Sequence, residues 1–191
     1  GNIVGGNIVA SGTFTSSGNI AMGSNWINNL SDPVQAQDAA TKQYVDTVAQ
    51  GLDPKASVLA ATTGTLNTAS GGTVTYSNGT SGVGATLTTT GTFLLIDGAN
   101  IQTAGTRVLV KNEGNAAWNG IYTYTNTTTL TRATDFDNGS PSGEIPGAFT
   151  FIEAGSTQAD SGWVCTTNSP VTVGTTNIVF TQFSGAGTYS A

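Results

Sequence analysis

Histidine is absent from the 191 residues. Its absence removes the commonest general base and every Ser-His or Cys-His nucleophilic arrangement. Cys165 is the single cysteine, so no disulfide can close within the chain and no ordinary thiolate zinc site can assemble. Flanked by apolar residues and lacking an activating partner, it reads as a small buried hydrophobe. Lys and Arg number 5 against 11 Asp and Glu, for a net charge of −6. So few cations neutralise too few phosphates to hold a nucleic acid. No apolar run reaches the ~18 residues of a membrane-spanning helix, and no basic, then apolar leader opens the chain. Neither nucleic-acid binding nor membrane insertion is expected. The start at Gly1 reads as that of a fragment or a processed product.

What is present points to β-structure. Charged residues make up 8% and hydrophobic residues 37%, and glycine, threonine, serine and asparagine fill much of the rest. The length suits one core domain with an appendage. Near the start, "GNIVASGTFTSSGNIAMG" (6–23) repeats with a period of six: Gly6, Gly12 and Gly18 open the units, and Ile8, Phe14 and Ile20 share one place within them. Glycine permits a sharp corner and the residues between can run as a short strand. Short repeats of this kind need stacked neighbours, because no unit buries an apolar face alone. Ordering a residue costs about 1.5 kcal/mol, and Ile8, Val9, Phe14, Ile20 and Met22 are too few to offset that over the segment. The missing apolar surface is expected from identical ribbons related by a rotation axis.

The helix signal lies between Asp32-Pro33 and Asp53-Pro54, each proline marking a joint. Asp38 is placed as N-cap and Gly51 as the C′ residue, which predicts a helix over about 39–50. Thr41, Val45, Val48 and Leu52 fall on one stripe and predict a short coiled-coil seam. A helix this short also needs a partner surface.

"INNLSDPVQAQDAATKQYVD" (27–46) resembles a segment of tail fibre and tail-collar fibre proteins of tailed bacteriophages. The likeness is carried by Leu30, Asp32, Pro33, Asp38, Ala39, Ala40, Thr41, Lys42, Tyr44, Val45 and Asp46. It implies a parallel homotrimer, an elongated shape and an extracellular place on a virion, with other tail or fibre proteins as partners.

Residues 55–187 read as short strands between turns, the pattern of an all-β sandwich or barrel-like domain. "TFLLID", "RVLVK", "GIYTY", "LTR", "GAFTFIE", "GWVCTT" and "NIVFTQF" are the strand candidates. Asn78-Gly79, Asn119-Gly120 and Asn138-Gly139 are expected as two-residue turns. "DGANIQTAGTRVLVKNEGNAAWNGIYTY", "TRATDFD", "GAFTFIEAGSTQADSGWVCTT" and "FTQFSGAG" resemble, in order, a β-domain of phage tail fibres and other virion proteins. Thr106 departs from that pattern, where an acidic residue is expected before the arginine.

The expected fold is mainly β: a glycine-rich, β-prism-like trimeric stem (1–31), a helical coiled-coil joint (32–54), an all-β domain (55–187) and a cut or flexible end (188–191). No cofactor motif is present. In "DFDNGS", Asp135, Asp137 and Asn138 are a weak calcium candidate, since the bidentate glutamate and ligand spacing of an EF-hand are missing. Arg107, Lys111 and Arg132 are expected to pair with carboxylates such as Asp97, Asp135 and Asp137. Trp163 is assigned to the core and Trp118 to a more exposed position with possible glycan contact. The expected function is that of a virion structural protein, a tail fibre segment mediating or supporting host attachment as a homotrimer, and not an enzyme. The alternatives are an architectural spacer or capsid decoration fibre, and a capsule depolymerase working through a carboxylate pair.

Overall fold

The computed structural model describes residues 11–13, 15–25, 27, 29–35, 37–42, 53–137 and 143–185. It divides into two bodies, 1–44 and 45–191.

In the first body the described residues form bends and turns, and the short strands expected between the hexad glycines are not formed among them. Gly23 and Ser24, both with positive φ, make a turn in which Met22 O accepts from Asn25 N at 2.9 Å. Ile20 is 60% and Ile27 63% exposed. Asp38 does not cap forward into the next turn: its carboxylate reaches back to accept from Val34 N (2.9 Å) and Gln35 N (2.8 Å). Those bonds, Gln35 first, hold its pKa below the ordinary value. Of the predicted helix, Ala39, Ala40 and Thr41 are not helical and Lys42 is; the remainder lies outside the described residues.

The second body is mainly β, with two mixed sheets, a small hairpin and no closed barrel among the described residues. The strands are β1 (Asp53–Pro54), β2 (Ala60–Ala61), β3 (Val74–Ser77), β4 (Thr86–Thr89), β5 (Leu95–Ile96), β6 (Ala99–Asn100), β7 (Arg107–Val110), β8 (Gly120–Asn126), β9 (Thr129–Arg132), β10 (Ala148–Phe151), β11 (Gly162–Cys165) and β12 (Phe180–Ser184). One sheet runs β1-β10-β11-β12 and another β2-β7-β8-β9-β4-β3, while β5 and β6 pair separately. The pairs β1–β10 and β2–β7 are parallel and the rest antiparallel.

Side-chain alternation explains the layering. In β7, Leu109 joins one core with Ile121, Phe136, Ala148 and Cys165, between the two sheets. Its neighbours Val108 and Val110 join a second core with Leu66, Leu87, Ile96 and Tyr122, on the far face of the six-stranded sheet. A strand buried on both sides reads as a continuous apolar run, which is what "RVLVK" is. The short helix Leu66–Ser70 and the β5–β6 hairpin contribute Leu66 and Ile96 to that second core.

The turn expectations need correction. Asn78-Gly79 opens a longer loop to β4, closed by Gly82 N donating to Asn78 O at 2.8 Å. Asn119 is extended and follows the 3-10 turn Ala116–Trp118. Its buried amide serves the loop backbone, accepting from Glu113 N (3.0 Å) and donating to Ile178 O (2.9 Å). Asn138-Gly139 lies outside the described residues. Asp97-Gly98 is a tight two-residue turn, with φ of 49 and 80 and Ile96 opposite Ala99, and Thr127-Thr128 is another, with Asn126 opposite Thr129.

Candidate functional site

Ile8, Phe14, Val45, Val48 and Leu52, the proposed oligomerisation residues, lie outside the described residues, as does Asn138. Ile20 is exposed, and the Thr41 hydroxyl donates to Asp32 Oδ1 at 3.2 Å. The structure brings together none of the described members of that set.

The charged residues of the β-body are largely committed to holding it. Arg107 grips Asp135 through two bonds, Nη1 to Oδ1 at 3.1 Å and Nη2 to Oδ2 at 2.9 Å. That engages both oxygens of one calcium candidate. Asp137 is buried, and burial together with the nearby Glu144 carboxylate raises its pKa, the Arg132 charge opposing. Among the described residues no group of three Asp, Glu, Cys or His converges on one point.

Arg132, at the end of β9, is 1% exposed. It does not hydrogen-bond a carboxylate as expected. Nη1 donates to Asn119 O (3.1 Å), and Nη2 donates to the Tyr122 hydroxyl (2.8 Å) and Trp118 O (3.4 Å). The carbonyls at the end of a helical turn lack intrahelical donors, and the guanidinium supplies them. Its Cζ lies 4.9 Å from the Tyr122 ring centroid, a cation–π contact. A Cβ on Gly120, whose φ is +154, would run into Nη1, so the sequence keeps glycine there. Burial pushes the Tyr122 phenol far up, Arg132 opposing.

Trp118, expected to be the more exposed of the two tryptophans, is half-buried, as Trp163 is. The 3-10 turn, N-capped by Asn115 accepting from Ala117 N at 3.2 Å, folds it back onto Tyr76. The two rings stack with centroids 5.6 Å apart and 19° between planes. Trp163 packs against the core as expected, with Lys111 Nζ 4.1 Å from its ring centroid and its own Nε1 donating to Ser161 Oγ at 3.0 Å. Burial lowers the Lys111 pKa while the Asp97 charge opposes that shift.

One concavity among the described residues was not visible in the sequence. A groove of about 380 Å³ is lined by Thr62, Thr63, Thr65, Thr68, Leu95 and Asp97. Thr62 forms its floor, accepting from Lys111 N (3.0 Å) and donating to Asn112 Oδ1 (3.1 Å). Asp97 forms one wall. Its carboxylate accepts from Thr157 N (3.0 Å), Gln158 N (2.8 Å) and Thr157 Oγ1 (2.9 Å), tying the hairpin to the 156–158 loop. Threonine hydroxyls both donate and accept, so the groove suits a hydroxyl-rich ligand better than a charged one. Residues 62–65 carry no motif in the sequence, and the Asp97-Gly98 pair was the available signal. No family model, no curated protein and no solved structure matches the chain.

Proposed function

We propose that the chain is a segment of a bacteriophage tail fibre, a structural virion component that associates as a homotrimer through its N-terminal segments and presents a β-body to support host attachment. The observation that carries this reading is the state of the N-terminal body in a single chain. Ile20, Met22, Ile27 and Val34 are all exposed there, and the described residues of the segment form none of the strands that its hexads call for. Apolar residues left unburied by their own chain, Ile20 of the hexad phase among them, are what a stem wound from several copies requires. The prism-like stem and the coiled-coil seam belong to that assembled state. The likenesses at 27–46 and through the β-body supply the rest of the reading.

In an attachment role, three weak sites on one stalk raise the effective concentration of the second and third contacts. The threonine-lined groove is the candidate contact surface, in place of Trp118. A spacer role has its own support, because Trp118 and Trp163 are engaged by Tyr76 and Lys111. Sedimentation of the full chain tests the assembly: a trimer is expected, and a monomer at micromolar concentration overturns the reading. Binding to host cells, weakened by Thr63→Lys, supports attachment, and retained assembly without binding supports the spacer. Release of reducing ends from host polysaccharide would establish a depolymerase instead.

A further inference from the structure

The four-stranded sheet has one face turned into the core and one turned outward. Alternation along β10 sends Ala148 and Thr150 inward and Phe149 and Phe151 outward. Phe183 of β12 lies over Gly162 of β11, where an added Cβ would strike its ring. The irregularity between Gly162 and Trp163 in the β11–β12 register accompanies this placement. The three rings meet edge to face, Phe149–Phe151 at 6.4 Å, Phe149–Phe183 at 5.8 Å and Phe151–Phe183 at 5.6 Å. Phe151 is 47% and Phe183 51% exposed. Pro54, opposite Phe149, and Val164, paired with it, extend the face, as does the exposed Val179 by alternation from Thr181 and Phe183.

We infer that this outward face docks on the same face of a second copy of the chain. Two observations choose that occupant. The outward positions on all four strands carry no charged side chain, while the chain as a whole carries −6. Asp53 and Lys55 pair with each other at 2.8 Å, and Glu153 stands at the rim, bonded by the Ser57 hydroxyl. Like-charged copies therefore meet with least repulsion here. Residues 43–52 end at Asp53 on one edge strand, and residues 186–191 begin beyond Gly185, just after the other. Both flanking segments therefore join the β-body at the edge strands of this sheet. A sugar is a poor fit, since hydroxyls beside these rings are few, Thr166, Thr181 and, by its register with Gly162, Ser184, and Thr166 already donates to Val179 O at 3.4 Å. The inference deepens the oligomeric part of the fibre reading and rests on it.

The test uses the full chain, with sedimentation across a concentration series for wild type, Phe183→Asp, Thr181→Asp and the control Val83→Asp, an exposed apolar residue outside this sheet. Thr181 is exposed, so its aspartate leaves the fold intact if Phe183→Asp does not. Both face variants are expected to weaken self-association at least about tenfold, with the control unchanged. Phe151→Cys is expected to crosslink between chains with a bismaleimide, the native Cys165 being buried. Association that is unchanged in both face variants, with no crosslink, overturns the inference and leaves the fibre reading standing. A chain that remains monomeric overturns both, and flotation of that monomer with phosphatidylcholine vesicles would assign the face to lipid. Association lost in the face variants but kept in Ile20→Asp supports the face and removes the stem.

Discussion

At the scale of single residues, two arginines illustrate how burial decides magnitude. Arg107 and Asp135 are both partly solvated, so Asp135→Asn is expected to cost at most about 1 kcal/mol. Arg132 is enclosed, and Arg132→Ala leaves a cavity and takes the guanidinium donor from Asn119 O and from the Tyr122 hydroxyl, while Trp118 O keeps the bond that this hydroxyl donates at 2.6 Å. A loss of about 3 kcal/mol or more is expected in urea unfolding. Gly120→Ala should be destabilising through the same guanidinium, whereas Gly64→Ala, where an added Cβ meets nothing within 4 Å, should be near neutral. Glu113 offers a pH test. Burial raises its pKa above the ordinary 4.5, although its carboxylate accepts from Leu66 N at 2.6 Å. The folded state therefore holds the proton more tightly, and stability falls as pH rises from about 4.5 through the folded value. Glu113→Gln is expected to be stabilising at neutral pH, with the gain vanishing below pH 4.5 in paired unfolding curves. The sequence showed that arginines and carboxylates were scarce enough to pair, and it placed Arg107 and Asp135 in the two groups without assigning them to each other. It could not show that Arg132 would serve carbonyls, because backbone acceptors leave no mark in composition.

At the scale of elements, the strands legible in advance were those with apolar alternation or apolar runs. β7, β10 and β11 each fall within a candidate segment, and β8, β9 and β12 overlap one and run one or two residues past it. β3 and β4 were missed because their residues are mostly threonine, serine and valine, which in this chain also fill the loops. β1 and β2 have two residues each and owe their existence to parallel neighbours distant in sequence, which no local pattern records. Asparagine was misread as a turn former at 78 and 119, where its amide serves as a surrogate for backbone. The Asp97-Gly98 turn was the better signal, and Asp97 has two duties there: a positive φ that glycine, asparagine and aspartate tolerate best, and three accepted hydrogen bonds. Asp97→Ala is expected to cost about 2 kcal/mol. Asp97→Asn, which keeps the backbone tolerance but not the charge, should cost less. Thermal unfolding of the two variants checks the order.

At the scale of the whole molecule, the mainly β class was readable from composition and strand spacing, while the groove was not, since Thr62 and Asp97 meet only after the sheets form. The charge balance yields a further expectation. Copies carrying −6 each repel, so any self-association through uncharged faces should tighten when salt is raised from 20 to 200 mM, roughly the range over which screening shortens from tens of ångströms to under ten. Sedimentation at the two salt concentrations reads the sign, and weakening would indicate contacts made by opposite charges instead. The topology of the four-stranded sheet has a mechanical consequence. β10 runs parallel to β1 and antiparallel to β11, and β11 runs antiparallel to β12, so β1 and β12 point the same way. The polypeptide comes in at the foot of one edge strand and goes out at the head of the other. Tension along the chain thus acts in shear across this sheet, loading the bonds of each ladder together instead of unzipping them singly, with the two-residue β1–β10 pairing the shortest of the three.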